Sequence, residues 1–436
     1  MTSAKRTRGN GSCLKSTGGG CAILFIGIGI WWMTAQSTPV VHIPAPVLPS
    51  PNGFDTLCSA GKQLLDYRKI GFAVNLTHLP GDKDDREYTL TEKERLVHEN
   101  FASLKLLRES LQEDYWNPPI RSVSTVLPYY MQFRSLALLL ELDSMVKAAH
   151  HDYGGAIQTN LDAIEMGATI ENGSLMMGGL AGDLCQTGGC RMAWSYIDRL
   201  DSAHAQAACH RLEAIQKHRV PTWKIVQEEK WLGQAELLEV FQNPTNVVPV
   251  AMHSSEADQS INSRLHPIIA RLFYLRHSKR RTMDEYSTYL DRQIAIAKQP
   301  YDVRTLEPNL PENPIVQMFC PVLGPAHYKL TLTETLTDQL ELALALRAYR
   351  LDHGKYPVAL NELSPAYLSA LPSDPFAKGR TFVYRRTSGT YLLYSVGPDG
   401  KDDGGSPIDL GPKAVIGRYS VQRDSIGDIV SGVNRR

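Results

Sequence analysis

Hydrophobic residues recur at helical spacing along most of the chain between residues 56 and 330. Because residues three and four apart lie on one face of an α-helix, this spacing predicts amphipathic helices. The predicted helices cover residues 92–113, 131–150, 152–166, 174–200, 202–218, 221–241, 259–273 and 282–298. The pattern therefore indicates a packed α-helical array, which we assign to residues 55–330.

The second and third of these helices resemble a tetratricopeptide hairpin. Tyr153, Ala156 and Ala163 fall where the second helix of such a hairpin carries Tyr, Ala and Ala. No second copy follows at the same period. The resemblance implies close antiparallel packing of two helices rather than a repeat protein.

The pattern changes near the C-terminal end of the chain. Leu336, Leu340 and Leu344 predict one more helix over residues 335–351. The helix is expected to stop at Gly354, which suits a left-handed C-terminal turn.

Two short strands follow this helix in the prediction. Residues 381–385 and 391–396 are rich in strand-forming residues, and 387–390 between them are typical of a hairpin turn. An acidic, glycine-rich loop at 397–409 comes next. Together these elements predict a small α+β domain with a short antiparallel sheet, residues 331–436.

The N-terminal part contains an apolar run, residues 21–35, directly after a basic tail, residues 1–20. Counted from Gly18, the run reaches the roughly 17 residues needed to cross a bilayer, which predicts one transmembrane helix. The basic tail is expected to stay in the cytoplasm. The alternative is a signal peptide cleaved after Ala35. Five Pro in the next segment, residues 36–54, predict an extended linker.

Composition and motif content argue against nucleic-acid binding and against several enzyme classes. The chain has 436 residues, 46 Lys and Arg against 46 Asp and Glu, and a pI of about 7.2, so no overall charge attracts nucleic acid. No nucleotide-binding glycine motif, nucleophile elbow or zinc-protease motif occurs. We therefore expect no nucleic-acid partner and no enzyme.

The cysteines leave several alternatives open. Cys185 and Cys190, with Cys209 next to His210, lack the spacing of a usual zinc site. A disulfide between Cys185 and Cys190 is compatible with export, and buried free thiols are the third alternative.

Three blocks in the last quarter of the chain carry a family resemblance: Leu-Arg-Ala-Tyr-Arg-Leu-Asp-His-Gly-Lys-Tyr-Pro (346–357), Leu-Pro-Ser-Asp-Pro-Phe (371–376) and Tyr-Leu-Leu-Tyr-Ser-Val-Gly-Pro-Asp-Gly-Lys-Asp-Asp-Gly-Gly (391–405). In this order they resemble the globular head of the type II secretion major pseudopilin. The resemblance implies a calcium ion bound by the acidic loop. The implied ligands are Asp399, Asp402, Asp403 and Asp409.

The loop chemistry agrees with calcium, which prefers oxygen ligands in irregular geometry. An ordinary solvated turn is the alternative, because Asp and Gly are common in turns. The loop is not an EF-hand, since Lys401 and Leu410 occupy positions where that motif has ligands.

The N-terminal part departs from the pilin pattern. Pilins of this family carry a processed segment with Glu at its fifth position, whereas Gly20 is followed by Cys-Ala-Ile-Leu-Phe. The sequence therefore predicts a bacterial inner-membrane protein with a single anchor and its bulk outside the cytoplasm. We expect a non-catalytic scaffold that binds a protein or peptide. The alternatives are a component of a type II secretion or pilus-like assembly and an exported enzyme of unknown class.

Overall fold

The structure, a computed structural model, describes residues 37–74, 87–242, 278–301, 310–409 and 421–432. These residues are mainly helical and contain one three-stranded antiparallel sheet. The helices are α1 Gly53–Lys62, α2 Tyr67–Ala73, α3 Leu90–Glu99, α4 Phe101–Ser110, α5 Tyr129–Ala149, α6 Tyr153–Ile170, α7 Met176–Trp194, α8 Ser202–Lys217, α9 Thr222–Gln242, α10 Lys279–Ala297, α11 Pro314–Phe319 and α12 Gly324–His353. The strands are β1 Val383–Arg386, β2 Tyr391–Ser395 and β3 Ile429–Val430.

The fold prediction needs correction in its transmembrane helix, because the described part of the chain does not contain one. Within the described ranges, no helix is long and apolar enough to cross a membrane. Even α12, with 30 residues, carries Lys329, Glu334, Asp338 and Arg347, and a bilayer interior tolerates few charges. The apolar run at 21–35 and the predicted helix at 259–273 lie outside the described residues.

Helices α6 and α7 pack unusually closely because glycines line their contact. A Cβ atom on Gly189 of α7 would lie 2.6 Å from the Asn160 carbonyl oxygen of α6. Likewise, a Cβ atom on Gly182 would overlap the carbonyl oxygen of Gly167. The small-residue face of α7 therefore brings two helix backbones into direct contact, and no side chain fits between them.

Helix α12 forms the centre of the larger core. In its second half, Leu340 and Leu344 are fully buried in one cluster with Leu161 of α6 and Leu212 of α8. Its first half, including Leu332, packs in another cluster with residues that follow the helix in sequence. The array and the C-terminal part of the chain thus share one long helix.

A second core holds the N-terminal helices together. Phe133 and Leu140 of α5 are fully buried against Leu57 of α1 and Leu107 of α4. The prediction of one helix over 92–113 needs correction, because the chain breaks into α3 and α4 at Asn100. The Asn100 side chain donates to the carbonyl oxygen of Leu96 and accepts from the amide of Leu65, so it caps the break.

The sheet is small and its order is β1-β2-β3. In the β1–β2 hairpin, Arg386 pairs with Tyr391 and Val383 with Tyr394. Strand β3 pairs with the end of β2 through Ser395 and Ile429. The hairpin agrees with the sequence pattern, but β3 was not predicted, since two residues are too few to show alternation.

Contacts divide the chain into two units. The smaller includes residues 234–242, 278–288 and 311–319 of the described chain. In that unit, Asn313 donates to the Thr282 hydroxyl at 3.0 Å, and the Lys279 ammonium donates to the Phe241 carbonyl oxygen at 2.7 Å. Helix α12, the sheet and the acidic loop belong to the larger unit, residues 43–233, 289–310 and 320–436.

The described cysteines are free thiols. Cys185 and Cys190 are both buried on α7, and burial raises the pKa of each thiol to about 12. Residues five apart on a helix point to different faces, so the disulfide alternative is wrong. Cys209 is also a buried free thiol, and its Sγ lies 3.6 Å from the Tyr367 carbonyl oxygen.

Candidate functional site

The acidic loop begins where β2 ends and returns to β3. Residue Gly397, with φ of 74°, opens the loop, and a Cβ atom there would lie 2.5 Å from the Gly427 carbonyl oxygen. Only glycine combines this conformation with so close a backbone approach. The loop then pairs with the chain before β3 through a parallel bridge between Pro407 and Asp428.

Two of the four predicted ligands, Asp399 and Asp402, accept hydrogen bonds from backbone amides of the loop itself. Asp402 Oδ1 accepts from the Gly404 amide and from the Tyr394 hydroxyl, both at 2.9 Å. These hydrogen bonds, with the Gly404 amide first, lower the pKa of Asp402. Asp399 Oδ1 accepts from the Lys401 amide at 3.0 Å. Its Oδ2 is buried and has no hydrogen-bond partner within the described ranges.

The other two predicted ligands contribute less to the loop geometry. The carboxylates of Asp403 and Asp409 lie on exposed residues. The backbone amide of Asp403 donates to Asp428 Oδ1 at 3.3 Å. The structure therefore brings Asp402 and Asp403 near a fifth acid, Asp428, rather than gathering all four predicted side chains.

Asp428 is the residue that closes the loop, and the sequence analysis missed it. Its side chain is fully buried, and its Oδ2 accepts from the Gly405 amide at 2.7 Å. Its backbone amide donates to the Ser406 carbonyl oxygen at 2.8 Å. The available signal was an isolated acid between Gly427 and the apolar pair Ile429-Val430.

A second buried acid, Asp374, connects two of the blocks that carry the family resemblance. Its Oδ1 accepts from the Ser395 hydroxyl at 2.7 Å, and its Oδ2 accepts from the Val396 amide at 3.0 Å. Burial raises the pKa of Asp374, and these hydrogen bonds oppose the rise. The block 371–376 thus fixes the end of β2, from which the acidic loop starts.

The side chains of the loop do not provide a complete set of calcium ligands. The buried Asp399 Oδ2 is the kind of oxygen that a cation would satisfy. However, no three His, Cys, Asp or Glu side chains in the described stretches lie close enough together to hold a metal ion. Because calcium also accepts backbone carbonyls and water, the loop would have to supply most ligands from its carbonyl oxygens.

Comparison with known families supports the resemblance. Residues 329–411 match the family Type II secretion system (T2SS), protein G. The predicted likeness of the C-terminal part to the pseudopilin head is confirmed by this match. The match covers about a fifth of the chain, and we call residues 329–411 the protein G region. No curated protein and no solved structure matches the chain.

The protein G region includes most of α12, whose first half carries a buried polar face. Arg219, in the turn between α8 and α9, donates from Nη2 to the Thr337 hydroxyl at 2.6 Å. Gln216 donates to Asp338 Oδ1 at 2.6 Å. The Thr333 hydroxyl donates to Asp183 of α7. Polar side chains of the array are thus hydrogen-bonded to buried residues of the protein G region.

Carboxyl groups around this polar face keep their protons more strongly than usual. Burial raises the pKa of Glu171 and Glu341 to about 8 and that of Asp183 to about 6. Burial also raises the pKa of Asp338, and Arg219 opposes the rise. The sequence analysis missed this cluster because its members lie on four separate segments. The only local sign was the alternation of Thr with Leu before Leu336.

Proposed function

We propose that the chain is an accessory component of a type II secretion or pseudopilus-like assembly. The match of residues 329–411 to protein G of that system carries the proposal. In this role the chain binds other proteins and catalyses no reaction. The helical array serves as the scaffold that presents the protein G region to them.

The packing of α12 supports an accessory role over that of a repeating filament subunit. Most of the helix is buried, and its second half is covered by α6, α7 and α8 of the same chain. A subunit that used this helix to contact its neighbours would have to remove the array first. We therefore propose that partners bind the exposed surface of the protein G region.

Exposed apolar side chains are the positions to substitute first on this surface. Val358 is 67% exposed, and Leu351 in the last turn of α12 is 40% exposed. Val123, between α4 and α5, is 68% exposed and provides a matched site on the array. The Val358→Asp and Val123→Asp variants therefore add the same charge at the same exposure, inside and outside the protein G region.

The test is cross-linking in cells that contain a type II secretion system, followed by purification of the tagged full chain. We expect mass spectrometry to find secretion components enriched with the wild type and with Val123→Asp, and reduced with Val358→Asp. Enrichment of no secretion component with the wild type would refute the proposal. An equal loss with both variants would refute the assigned surface.

We also propose that the acidic loop binds calcium, as the resemblance implies. The buried Asp399 Oδ2 supports this proposal. Asp402, Asp403 and Asp409 are the further candidates by resemblance. Bound calcium would stabilise the loop that Asp428 already ties to β3.

A further inference from the structure

A cavity of about 560 Å³ lies within the larger unit, between the α8–α9 turn, the residues after α10 and the first half of α12. This volume falls within the range of small-molecule sites, about 300–1,000 Å³. Its walls combine aromatic rings and apolar side chains with a few charged groups, among them Arg219, Trp223, Lys298, Tyr301, Leu330 and Glu334. Neither the acidic loop nor Val358 lines it, so a ligand here is independent of the proposed secretion role.

Arg219 lines the cavity with a guanidinium whose donors are only partly used. Its Nη2 donates to the Thr337 hydroxyl at 2.6 Å and to Gln186 Oε1 at 3.4 Å. Its Nη1 lies 3.9 Å from the Glu334 carboxylate, which exceeds hydrogen-bond distance. Its buried Nε has no hydrogen-bond partner among the described residues. The two N–H groups on Nη1 are therefore available to an acceptor from outside the chain.

A second cation, Lys298, lies at the same cavity. Its ammonium is 4.7 Å from the centroid of the Trp223 ring, a cation–π contact that keeps it beside the cavity. In the described part of the chain, no Asp or Glu pairs with this ammonium. Its three N–H donors therefore remain open to a negatively charged ligand.

The N-terminal turn of α9 also favours an anion. Pro221, Thr222 and Trp223 line the cavity. The first amides of a helix have no acceptor inside the helix, and the helix dipole places partial positive charge at that end. Here the amides of Thr222 and Trp223 donate to no acceptor in the described ranges. An anion in the cavity would therefore find backbone donors as well as two charged side chains.

Two acids of the lining do not offset this positive charge. Burial raises the pKa of Glu171 to about 8, so at pH 7 its carboxyl group keeps its proton and carries no charge. Asp374 is fully buried and accepts hydrogen bonds from the Ser395 hydroxyl and the Val396 amide. Its charge also interacts with the Arg380 guanidinium. Neither acid presents an unpaired negative charge to the cavity.

The remaining charges leave one positive charge in excess. Arg219 and Lys298 are cations at pH 7, whereas Glu334 adds one carboxylate, whose side chain is 45% exposed. Burial lowers the pKa of His327 to about 4, so this imidazole is neutral. Outside the lining, Asp183 interacts with Lys329 as well as with Arg219. A ligand with a single negative charge would balance the excess.

We propose that this cavity binds an organic monoanion, a carboxylate on an apolar or aromatic body, between Arg219 and Lys298. The open donors of these two side chains hold the carboxylate, and Trp223, Tyr301 and Leu330 contact the body. Two sources share this chemistry. One is a free small carboxylic acid, and the other is the C-terminal carboxylate of a bound protein.

The test is calorimetric titration of the full chain at pH 7 with 3-phenylpropionate, with 3-phenyl-1-propanol as the uncharged control. We expect the carboxylate alone to bind. Lys298→Gln, at an exposed residue, should weaken binding about twofold to fivefold. Arg219→Gln should weaken it about tenfold or more. Lys105→Gln, an exposed change on α4, is the matched control and should bind like the wild type.

Glu334→Gln tests the charge balance in the opposite direction and leaves the buried network intact if Arg219→Gln does not fold. It removes the carboxylate that lies 3.9 Å from Arg219, so binding should tighten about twofold to fivefold, whereas Glu109→Gln should change nothing. A peptide with a free C-terminal phenylalanine that binds when 3-phenylpropionate does not would identify a protein C-terminus as the source. No saturation by either probe, equal binding by Lys298→Gln and wild type, or weaker binding by Glu334→Gln would overturn the proposal.

Discussion

The acidic loop and the buried face of α12 both gather carboxyl groups, yet the two regions give them opposite properties. In the loop, Asp402 is exposed and accepts hydrogen bonds from Gly404 and Tyr394, which lower its pKa. At the buried face of α12, Glu171 and Glu341 are buried, which raises their pKa to about 8. Desolvation favours the neutral acid, whereas donors in an exposed turn favour the charged one. The surroundings of an acid therefore decide whether it offers a charge or a proton.

Asp428 combines the features of the two regions, because it is buried and also accepts amide hydrogen bonds from the loop. We expect Asp428→Ala to reduce the free energy of unfolding by about 3–5 kcal/mol, since it leaves two amides without an acceptor. Urea unfolding of the full chain measures this loss. Asp428→Asn keeps one acceptor oxygen and should lose less. A loss below about 1 kcal/mol for Asp428→Ala would show that Asp428 does not close the loop.

Glu171 tests the buried side of the comparison through pH. Between the ordinary glutamate pKa of 4.5, which applies in the unfolded chain, and the folded pKa of about 8, the folded state holds a proton that the unfolded state releases. Stability should therefore fall as pH rises through this window, and Glu171→Gln should remove that part of the fall. At pH 8 we expect the variant to be more stable than the wild type by about 4 kcal/mol.

Urea unfolding at pH 5 and pH 8 measures this difference, which should nearly vanish at pH 5. Glu109→Gln, on the exposed face of α4, should show no such pH dependence. If Glu171→Gln is less stable than the wild type at pH 8, the carboxyl group is charged and paired in the folded state.

Calcium tests the exposed side of the comparison. If calcium binds only the folded chain, a hundredfold excess over its dissociation constant should add about 2.7 kcal/mol. Thermal unfolding with calcium and with a chelator measures the shift. Asp399→Ala should abolish the shift, whereas Asp66→Asn, at an exposed residue just before α2, should keep it. If the chain folds but calcium does not shift its thermal unfolding, the loop binds no calcium and is a turn closed by Asp428.

The smallest effect is expected at Asp402. Its pKa is lowered in the folded state, so its contribution is present at neutral pH and is lost as pH falls through the folded pKa. Asp402→Asn should cost less than about 1 kcal/mol at pH 7, because the group is exposed, and almost nothing at low pH. Unfolding curves at pH 7 and pH 3 measure both values. A loss that is larger at pH 3 would contradict the assignment.

Local patterns predicted the elements well. Residues 131–150 and 202–218 were predicted as helices, and the structure has Tyr129–Ala149 and Ser202–Lys217 there. In both, the hydrophobic spacing continues until a His near the C-terminal end. The hairpin between β1 and β2 was also predicted, since its turn residues lie between two runs of strand-forming residues.

Features that depend on distant contacts were not predicted. Asp428 meets the loop across more than twenty residues of chain, and Arg219 meets Thr337 across 118 residues. Neither pairing leaves a periodic signal in the sequence. The predicted metal ligands were chosen by adjacency, so they include Asp403 and Asp409, whose side chains lie on exposed residues, and omit the buried acid beside them.

Helix α12 belongs to two cores at once, and this limits how the chain can be divided or recombined. A fragment that starts at residue 329, where the protein G match starts, would lose the residues of α6, α7 and α8 that belong to the same buried cluster as Leu340 and Leu344. Each buried leucine contributes about 1.5–3 kcal/mol, so such a fragment would lose solubility along with stability. A protein G head taken from another chain could not simply be grafted onto this array. The residues in both halves of α12 would have to be exchanged together with the head.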